Sequence, residues 1–217
     1  MSTPPLIAVI DYGMSNLRSI VNAFEAIGTH PLVTRDHAAL RSAAAIVLPG
    51  VGAFADGMAN LRRFRLVDVL EEEVRQKGKP YLGICLGMQF LCRSSEEGGS
   101  EDGLGWIEGR VRRIAPASGE FKVPHMGWND LAVRRRDGLF AGLDEEPAFY
   151  FVHGYHAVLE GPSAQAVSST CWHGTDVTAS LELRNIWGVQ FHPEKSQGAG
   201  LRLLRNFADR ANGAVHA

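Results

Sequence analysis

Gly83-Ile84-Cys85-Leu86-Gly87-Met88-Gln89 is the stretch on which the rest of the chain is read. The apolar run Pro80-Tyr81-Leu82-Gly83-Ile84 predicts a buried strand, and Gly87-Met88-Gln89-Phe90-Leu91 predicts the opening of a helix. Cys85 stands between them with a glycine two positions to either side. This is G-x-C-x-G, the thiol counterpart of the G-x-S-x-G nucleophile elbow. A sharp strand-to-helix turn holds the nucleophile at strained backbone angles and leaves room only for small flanking residues. It also aims the sulfur at a helix N-terminus, whose unpaired N–H groups and dipole favour a thiolate and can hold an oxyanion. A buried cysteine in an ordinary βα unit would look the same, so a reactive thiol needs partners elsewhere.

The surroundings of the elbow predict an α/β fold. Leu6-Ile7-Ala8-Val9-Ile10 reads as a first buried strand ending in a turn at Asp11-Tyr12-Gly13. A helix follows, with Ser15 as N-cap, Leu17, Ile20, Val21, Phe24 and Ile27 on one face, and Gly28 as its stop. Pro31-Leu32-Val33 and Ala44-Ala45-Ile46-Val47-Leu48 read as further strands. A helical stretch then runs through Met58, Leu61, Val67, Leu70 and Val74 to Gly78. Such alternation predicts a mostly parallel central sheet with helices on both faces.

Beyond Leu91 the pattern changes. The acidic, aperiodic residues 94–103 read as a surface loop. Additional antiparallel or mixed strands are expected in the C-terminal half, at residues 109–114, 130–134, 148–152, 165–171, 177–183 and 186–191. Leu201, Leu203, Leu204, Phe207 and Ala208 then line an amphipathic closing helix. With no repeat or low-complexity linker, residues 1–217 read as one domain, and that length is sufficient for a substantial core.

Composition excludes several classes. Lys+Arg 22 against Asp+Glu 24 leaves a formal net charge of -2, which gives no case for nucleic acid, and Arg134-Arg135-Arg136 reads as a solvated edge. Three cysteines without a C-x-x-C pair do not make a disulfide framework and point to a reducing compartment. The N-terminus shows no leader pattern, and the apolar run at Leu6 is too short for a signal or a span. The chain reads as soluble and cytoplasmic.

A cysteine nucleophile needs a base, and the base an orienting group. Gly188-Val189-Gln190-Phe191 predicts a strand that delivers His192 at its end, where parallel strands carry catalytic groups. Glu194, two residues on, can hold the far imidazole nitrogen and set the tautomer. Two oxyanion donors are expected: the N–H of Leu86, and an N–H from Pro49-Gly50-Val51-Gly52, whose glycines let backbone approach a ligand. No metal is expected. His153 and His156, three apart on one strand, would face opposite ways, and Cys171-Trp172-His173 lacks a second ligand pair. Cys92 and Cys171 read as packed thiols.

These motifs resemble the class I (triad) glutamine amidotransferases, through residues 83–89 together with Phe191-His192-Pro193-Glu194-Lys195-Ser196. Four further stretches resemble, more narrowly, the glutaminase subunits of imidazole glycerol phosphate synthases. They are Asp11-Tyr12-Gly13-Met14-Ser15-Asn16-Leu17-Arg18, Leu48-Pro49-Gly50-Val51-Gly52-Ala53-Phe54, Pro124-His125-Met126-Gly127-Trp128-Asn129 and Tyr150-Phe151-Val152-His153. The match runs in order from Ile7 to Phe207. Ser15 and Gly154 depart from the family pattern, which usually has glycine at the first position and Ser or Thr at the second.

The resemblance implies hydrolysis of glutamine through a thioester on Cys85, with His192 as acid and base, Glu194 as its orienter, and Val51 and Leu86 as oxyanion donors. It implies glutamine binding by Gly52, Gln89, Glu97, Gly154 and Tyr155. By residue type alone, Glu97 reads equally as a solvated acid. No cofactor is implied. The ammonia would pass to a cyclase subunit, a (β/α)₈ barrel that makes imidazole glycerol phosphate, and Asn16, Arg18, Trp128, Tyr150 and Lys195 would face that partner or gate the passage. By residue type, Trp128 and Tyr150 read as core aromatics. Two rivals stand beside this: a free-standing γ-glutamyl hydrolase of the same fold, and a silent binding module.

Overall fold

Alternate residues of the first strand lead to opposite cores. The computed structural model describes residues 6–215, and the expectation that no leader precedes Leu6 rests partly on residues 1–5, which lie outside the described residues. In β1 (Ile7–Ile10), Ile7 and Val9 join one buried cluster while Ala8 and Ile10 join another. β3 (Ala45–Gly50) repeats this, with Ala45 and Val47 on one side and Ile46 and Leu48 on the other. Strands apolar on both faces belong inside a sheet covered on both sides, which is why their runs are continuous rather than alternating.

The chain in order gives β1, α1 (Leu17–Ala26), β2 (Leu32–Thr34), α2 (His37–Ser42), β3, α3 (Phe54–Arg63), α4 (Leu66–Leu70), β4 (Tyr81–Cys85) and α5 (Leu86–Gln89). There follow β5 (Cys92–Ser95), β6 (Glu101–Asp102), β7 (Ile107–Arg113), β8 (His125–Asp130), β9 (Ala132–Val133), β10 (Ala148–His153), β11 (Tyr155–Leu159), β12 (Val167–Trp172), β13 (Asp176–Leu183), β14 (Ile186–Val189) and α6 (Gln197–Val215). The main sheet has the order β2-β1-β3-β4-β14-β13-β12-β9. Its first five strands are parallel and the remaining pairings antiparallel, so the mixed α/β sheet is as expected. The strands β11-β7-β5-β6 form a second sheet, and β10 pairs with β8 in a third.

Helices α1 and α6 share the core that holds Phe24, Leu204 and Phe207, while Leu40, Met58, Leu61 and Leu70 of α2, α3 and α4 enter the core on the other face. Because β3, β4 and β14 are adjacent and parallel, their C-terminal ends meet at one edge. That edge holds Gly50, Cys85 and the start of the turn carrying His192.

Several local expectations are corrected. Ser15 is not the N-cap of α1: Asn16 holds that position without a side-chain bond, and the Ser15 hydroxyl is buried without a partner. The helix expected from Met58 to Gly78 is broken at Arg65, which sits at φ 54, and after α4 the chain widens into a π-helical turn, Glu71–Gln76. That widened turn holds buried Glu73 against Lys77 and Lys79 at 2.7 Å each, and Glu71 against the Trp106 indole N–H, also at 2.7 Å. Tertiary partners there override simple periodicity. Residues 94–103 contain the end of β5 and all of β6 rather than loop alone. The strand expected at 130–134 is two: β8 starts at His125 and β9 is a short separate piece. The run expected at 165–171 begins in a 3₁₀ turn, Gly161–Ala166. His153 and His156 lie on different strands, β10 and β11, with Gly154 between them.

Candidate active site

At the end of β4 the backbone of Cys85 takes φ 54 and ψ -107, a conformation that L-residues rarely adopt. The two flanking glycines make this possible. A Cβ on Gly83 would stand 2.5 Å from the Gly87 carbonyl oxygen, and one on Gly87 would overlap the Leu48 carbonyl oxygen. The elbow predicted from spacing is therefore present. The helix after it is not what the sequence suggested, because α5 is a single turn of 4 residues. One turn carries little macrodipole; what remains is the local N–H at its start.

His192 follows β14 and faces the elbow. Its Nδ1 lies 2.8 Å from Glu194 Oε1, and the two side chains are 3% and 2% exposed. Burial alone would lower the imidazolium's pKa, but Cys85 and then Glu194 outweigh it, and the pKa is pushed up to about 10. The Nε2 is buried with no hydrogen-bond partner, and Cys85 is the neighbour that most favours its proton. Catalytic contacts commonly tighten only with substrate in place. The turn is pinned from behind: His192 N–H donates to the Tyr150 carbonyl at 2.9 Å, Ser196 Oγ–H to the His192 carbonyl at 2.6 Å, and Tyr150 N–H to Ser196 Oγ at 3.0 Å. Ser196 thus fixes the base.

A cavity of about 290 Å³ opens above the sulfur, lined by Val51, Gly52, Cys85, Leu86, Gln89, Glu97, Val152, His153, Gly154 and Tyr155. The oxyanion and glutamine-binding candidates all meet there; Val152 and His153 are additions. Glu97 is not a solvated acid, since its Oε2 accepts the Phe54 N–H at 2.9 Å, capping α3 from a distant loop. The amide nitrogen of Gln89 donates to the Tyr155 carbonyl at 3.0 Å and to Gln190 Oε1 at 3.1 Å, so Gln89 can offer the cavity only its carbonyl oxygen. A Cβ on Gly154 would meet only Val123, at 3.7 Å; its departure from the family pattern is not forced by the backbone.

One expected donor points elsewhere. Val51 N–H donates to the Met14 carbonyl at 2.9 Å, because the Gly50–Val51 peptide is turned toward the loop after β1. Leu86 N–H, at the first position of α5, needs no helical acceptor and is the donor in place. Next to this strand the Tyr12 hydroxyl is buried without a partner, and burial, then the nearby Cys85, push its pKa well above the ordinary range.

The partner-facing candidates gather on the rim behind the triad. Trp128 is 49% exposed and lies directly opposite Tyr150 across β8 and β10, the rings meeting edge to face at 6.3 Å. Trp128 is thus not a core aromatic, and Tyr150 is half-buried beside it. Exposed Lys195 places its Nζ 5.7 Å from the Tyr150 ring centroid. Exposed Asn16 and Arg18 begin α1, which packs against the Pro193–Lys195 turn. Met126, 63% exposed, extends the apolar surface.

Inward-facing residues of β8 and β10 form a chain of histidines that the sequence did not reveal. Asn129 Nδ2 donates to the Trp172 carbonyl at 2.9 Å and meets His125 Nε2 at 3.2 Å. His125 Nδ1 meets His153 Nε2 at 3.1 Å, and His153 Nδ1 meets the Tyr155 carbonyl at 2.8 Å. Carbonyls only accept, so both rings are neutral with the proton on Nδ1. Burial lowers His125 to about 4, His153 to about 3 and His156 to about 4. The unfolded chain takes up protons at these sites near 6.5, the folded one only far lower. Their stability contribution is therefore present above the ordinary histidine pKa and lost as pH falls toward about 4, by on the order of 1 kcal/mol per pH unit for each group. His192 acts oppositely: its contribution is complete below 6.5 and lost as pH rises through about 10. Urea midpoints are expected to fall steeply between about pH 6.5 and 4, and less steeply in His156→Gln. A flat acid limb would contradict the buried neutral set.

Among the described residues no group of three or more His, Cys, Asp or Glu side chains is placed to hold a metal ion, and no helix is long and apolar enough to cross a membrane. The cysteines Cys85, Cys92 and Cys171 are free and buried. Residues 8–211 match the family described as glutamine amidotransferase class-I. The imidazole glycerol phosphate synthase subunit HisH of Synechococcus elongatus is 46% identical over 216 residues, 99% of this chain and 97% of that protein. The HisH subunit of Methanothermobacter thermautotrophicus is 49% identical over 204 residues, 94% and 98% of the two chains. Among solved structures, PurLQS from Thermotoga maritima superposes with a TM-score of 0.72 at 22% identity, covering 96% of this chain and 99% of that one, a likeness of fold. The elbow, the His192–Glu194 pair and these full-length matches lead to one conclusion: the chain belongs to the class-I glutamine amidotransferases and, within them, to the HisH subunits of imidazole glycerol phosphate synthase.

Proposed function

We propose that the chain, as the glutaminase subunit of an imidazole glycerol phosphate synthase in histidine biosynthesis, works by thioester chemistry at Cys85 and passes ammonia to a (β/α)₈-barrel cyclase subunit. The observation that carries the mechanism is the strained elbow, which sets Cys85 in the lining of one small cavity with the buried His192–Glu194 pair behind it. The Cys85 thiolate attacks the side-chain amide carbon of glutamine, and the amide oxygen takes the negative charge. His192 gives its proton to the departing nitrogen, ammonia leaves, and a γ-glutamyl thioester remains. Water, deprotonated by His192, then attacks the thioester and releases glutamate. Glu194 keeps the imidazole oriented throughout. Gln89 through its carbonyl oxygen, and Glu97 through its free carboxylate oxygen, suit the α-ammonium of the substrate. The cavity, about 290 Å³, is at the small end for ligand sites and fits an amino acid.

Partner control is part of the same proposal. With Val51 N–H bonded to Met14, the oxyanion hole has one donor. Rotation of the Gly50–Val51 peptide on docking would supply the second, an effect worth about 10²–10³ in rate. The exposed set Met126, Trp128, Tyr150 and Lys195, with Asn16 and Arg18, suits a docking face for the barrel, and three free buried cysteines suit a cytoplasmic setting. Glutaminase turnover is expected to be slow for the isolated chain and to rise by about that factor with cyclase and its nucleotide bound. Full-rate hydrolysis by the isolated chain would favour a free-standing γ-glutamyl hydrolase.

The hinge can be tested separately. A Cβ on Gly50 would collide with the Tyr12 hydroxyl and come within 2.8 Å of Leu86 Cβ, so alanine there disturbs the elbow itself. At Gly52, φ +97, a Cβ meets only the mobile end of Met14, at 2.8 Å. Gly52→Ala is therefore the cleaner probe and is expected to reduce stimulated turnover about tenfold or more. Undiminished stimulation would remove peptide rotation from the account.

A further inference from the structure

We infer that Gln190 is a hydrogen-bond donor to the nucleophile, the last member of a buried relay that starts at the Tyr155 carbonyl and ends on Cys85 Sγ. The inference rests on the thioester reading above. The register Val189↔Ile84 between β14 and β4 brings the next residue, Gln190, alongside Cys85, and Gln190 is fully buried. Three contacts fix the direction of the relay. A backbone carbonyl only accepts, so the group of Gln89 that lies 3.0 Å from Tyr155 O is its NH₂. The same NH₂ lies 3.1 Å from Gln190, which must present its carbonyl oxygen there. The other end of Gln190, its own NH₂, therefore faces Cys85 Sγ at 3.5 Å. Neither amide can flip without setting two acceptors or two donors against each other inside the protein, at the cost of an unpaired buried group.

The consequence is chemical. An N–H aimed at sulfur favours the thiolate over the thiol, and the one-turn helix α5 offers little dipole to do so. The ionisable groups facing the sulfur are His192 and Tyr12. The relay also couples the cavity to the nucleophile, since Gln89 and Tyr155 both line the cavity.

The test is alkylation of Cys85 by iodoacetamide in the full chain, which requires no glutamine and so stands apart from the glutaminase assay. Cys92 and Cys171, both pushed up to about 12, chiefly by burial, react slowly. In Gln190→Met, alkylation at neutral pH is expected to drop about tenfold and to recover at high pH, with kcat for glutamine falling more than KM rises. In Gln89→Glu the carboxylate only accepts, so it draws the Gln190 NH₂ away from sulfur, and at least the same loss is expected. In the unmutated chain, the Gln190 side-chain amide protons should shift in NMR when Cys85 is alkylated. Wild-type alkylation rates in folded Gln190→Met, or Gln190 amide protons indifferent to the state of Cys85, would overturn the relay even if the chain proves to be a glutaminase. Normal relay behaviour without glutamine turnover would instead count against the thioester reading.

Discussion

Glutamine turnover in Cys85→Ala is expected to fall by about 10⁴-fold or more, and in His192→Ala by nearly as much, with the double variant little worse than either. The reason is geometric. Among the described residues, Cys85 supplies the only sulfur lining the cavity, and His192 is the only imidazole that combines proximity to it with a carboxylate at 2.8 Å. Nucleophile and base act as one unit, so removing the second after the first removes nothing further. The assay is release of glutamate by the chain with its cyclase and nucleotide, where wild-type turnover is highest. Urea midpoints accompany it, because Cys85 is 6% and His192 3% exposed, and truncation of buried groups perturbs packing. Strictly additive losses, or residual activity above about one per cent in a folded Cys85→Ala chain, would mean that another group attacks the amide.

The second large effect concerns the fold. Gly87→Ala is expected to cost about 3 kcal/mol or more of stability, or to prevent folding, because the added Cβ overlaps the Leu48 carbonyl oxygen. That oxygen belongs to the central strand β3, paired with β4 on one side and β1 on the other, so it cannot retreat without disrupting the sheet. Gly119→Ala is the control: a Cβ there meets nothing within 4 Å, and a change within about 0.5 kcal/mol is expected. Equal urea midpoints for the two variants would show that β3 does not press on the elbow.

How much of this was legible in the sequence depended on whether the signal was local. The runs at Ile7, Ile46 and Leu82 marked the parallel core because strands buried on both faces are apolar throughout. The elbow was legible because its strain demands glycine at fixed distances from Cys85, and the His192–Glu194 pair because both lie in one turn. Gln190 gave no such sign. Its role comes from lying beside Cys85 across two strands about a hundred residues apart in sequence, and no periodicity encodes that. The histidine chain was hidden for the same reason, since His125, His153 and Trp172 meet only when β8, β10 and β12 assemble. Periodicity also misled where tertiary contacts won. The helix after Met58 breaks at Arg65, and the π turn beyond it follows the ion pairs of Glu73. The one-turn helix after Cys85 shows that an apolar opening such as Gly87–Leu91 does not set length. Ser15 was a plausible cap by residue type, but Asn16 occupies the cap while the Ser15 hydroxyl is buried.

The central claim is that Cys85 carries the γ-glutamyl group. The direct measurement is rapid acid quenching of the stimulated complex during turnover of isotopically labelled glutamine, followed by peptide mapping by mass spectrometry. The account predicts a labelled γ-glutamyl thioester on the peptide bearing Cys85, absent from Cys85→Ser and from samples without glutamine. Steady turnover with no label on Cys85, or label on Cys92 or Cys171 instead, would contradict it.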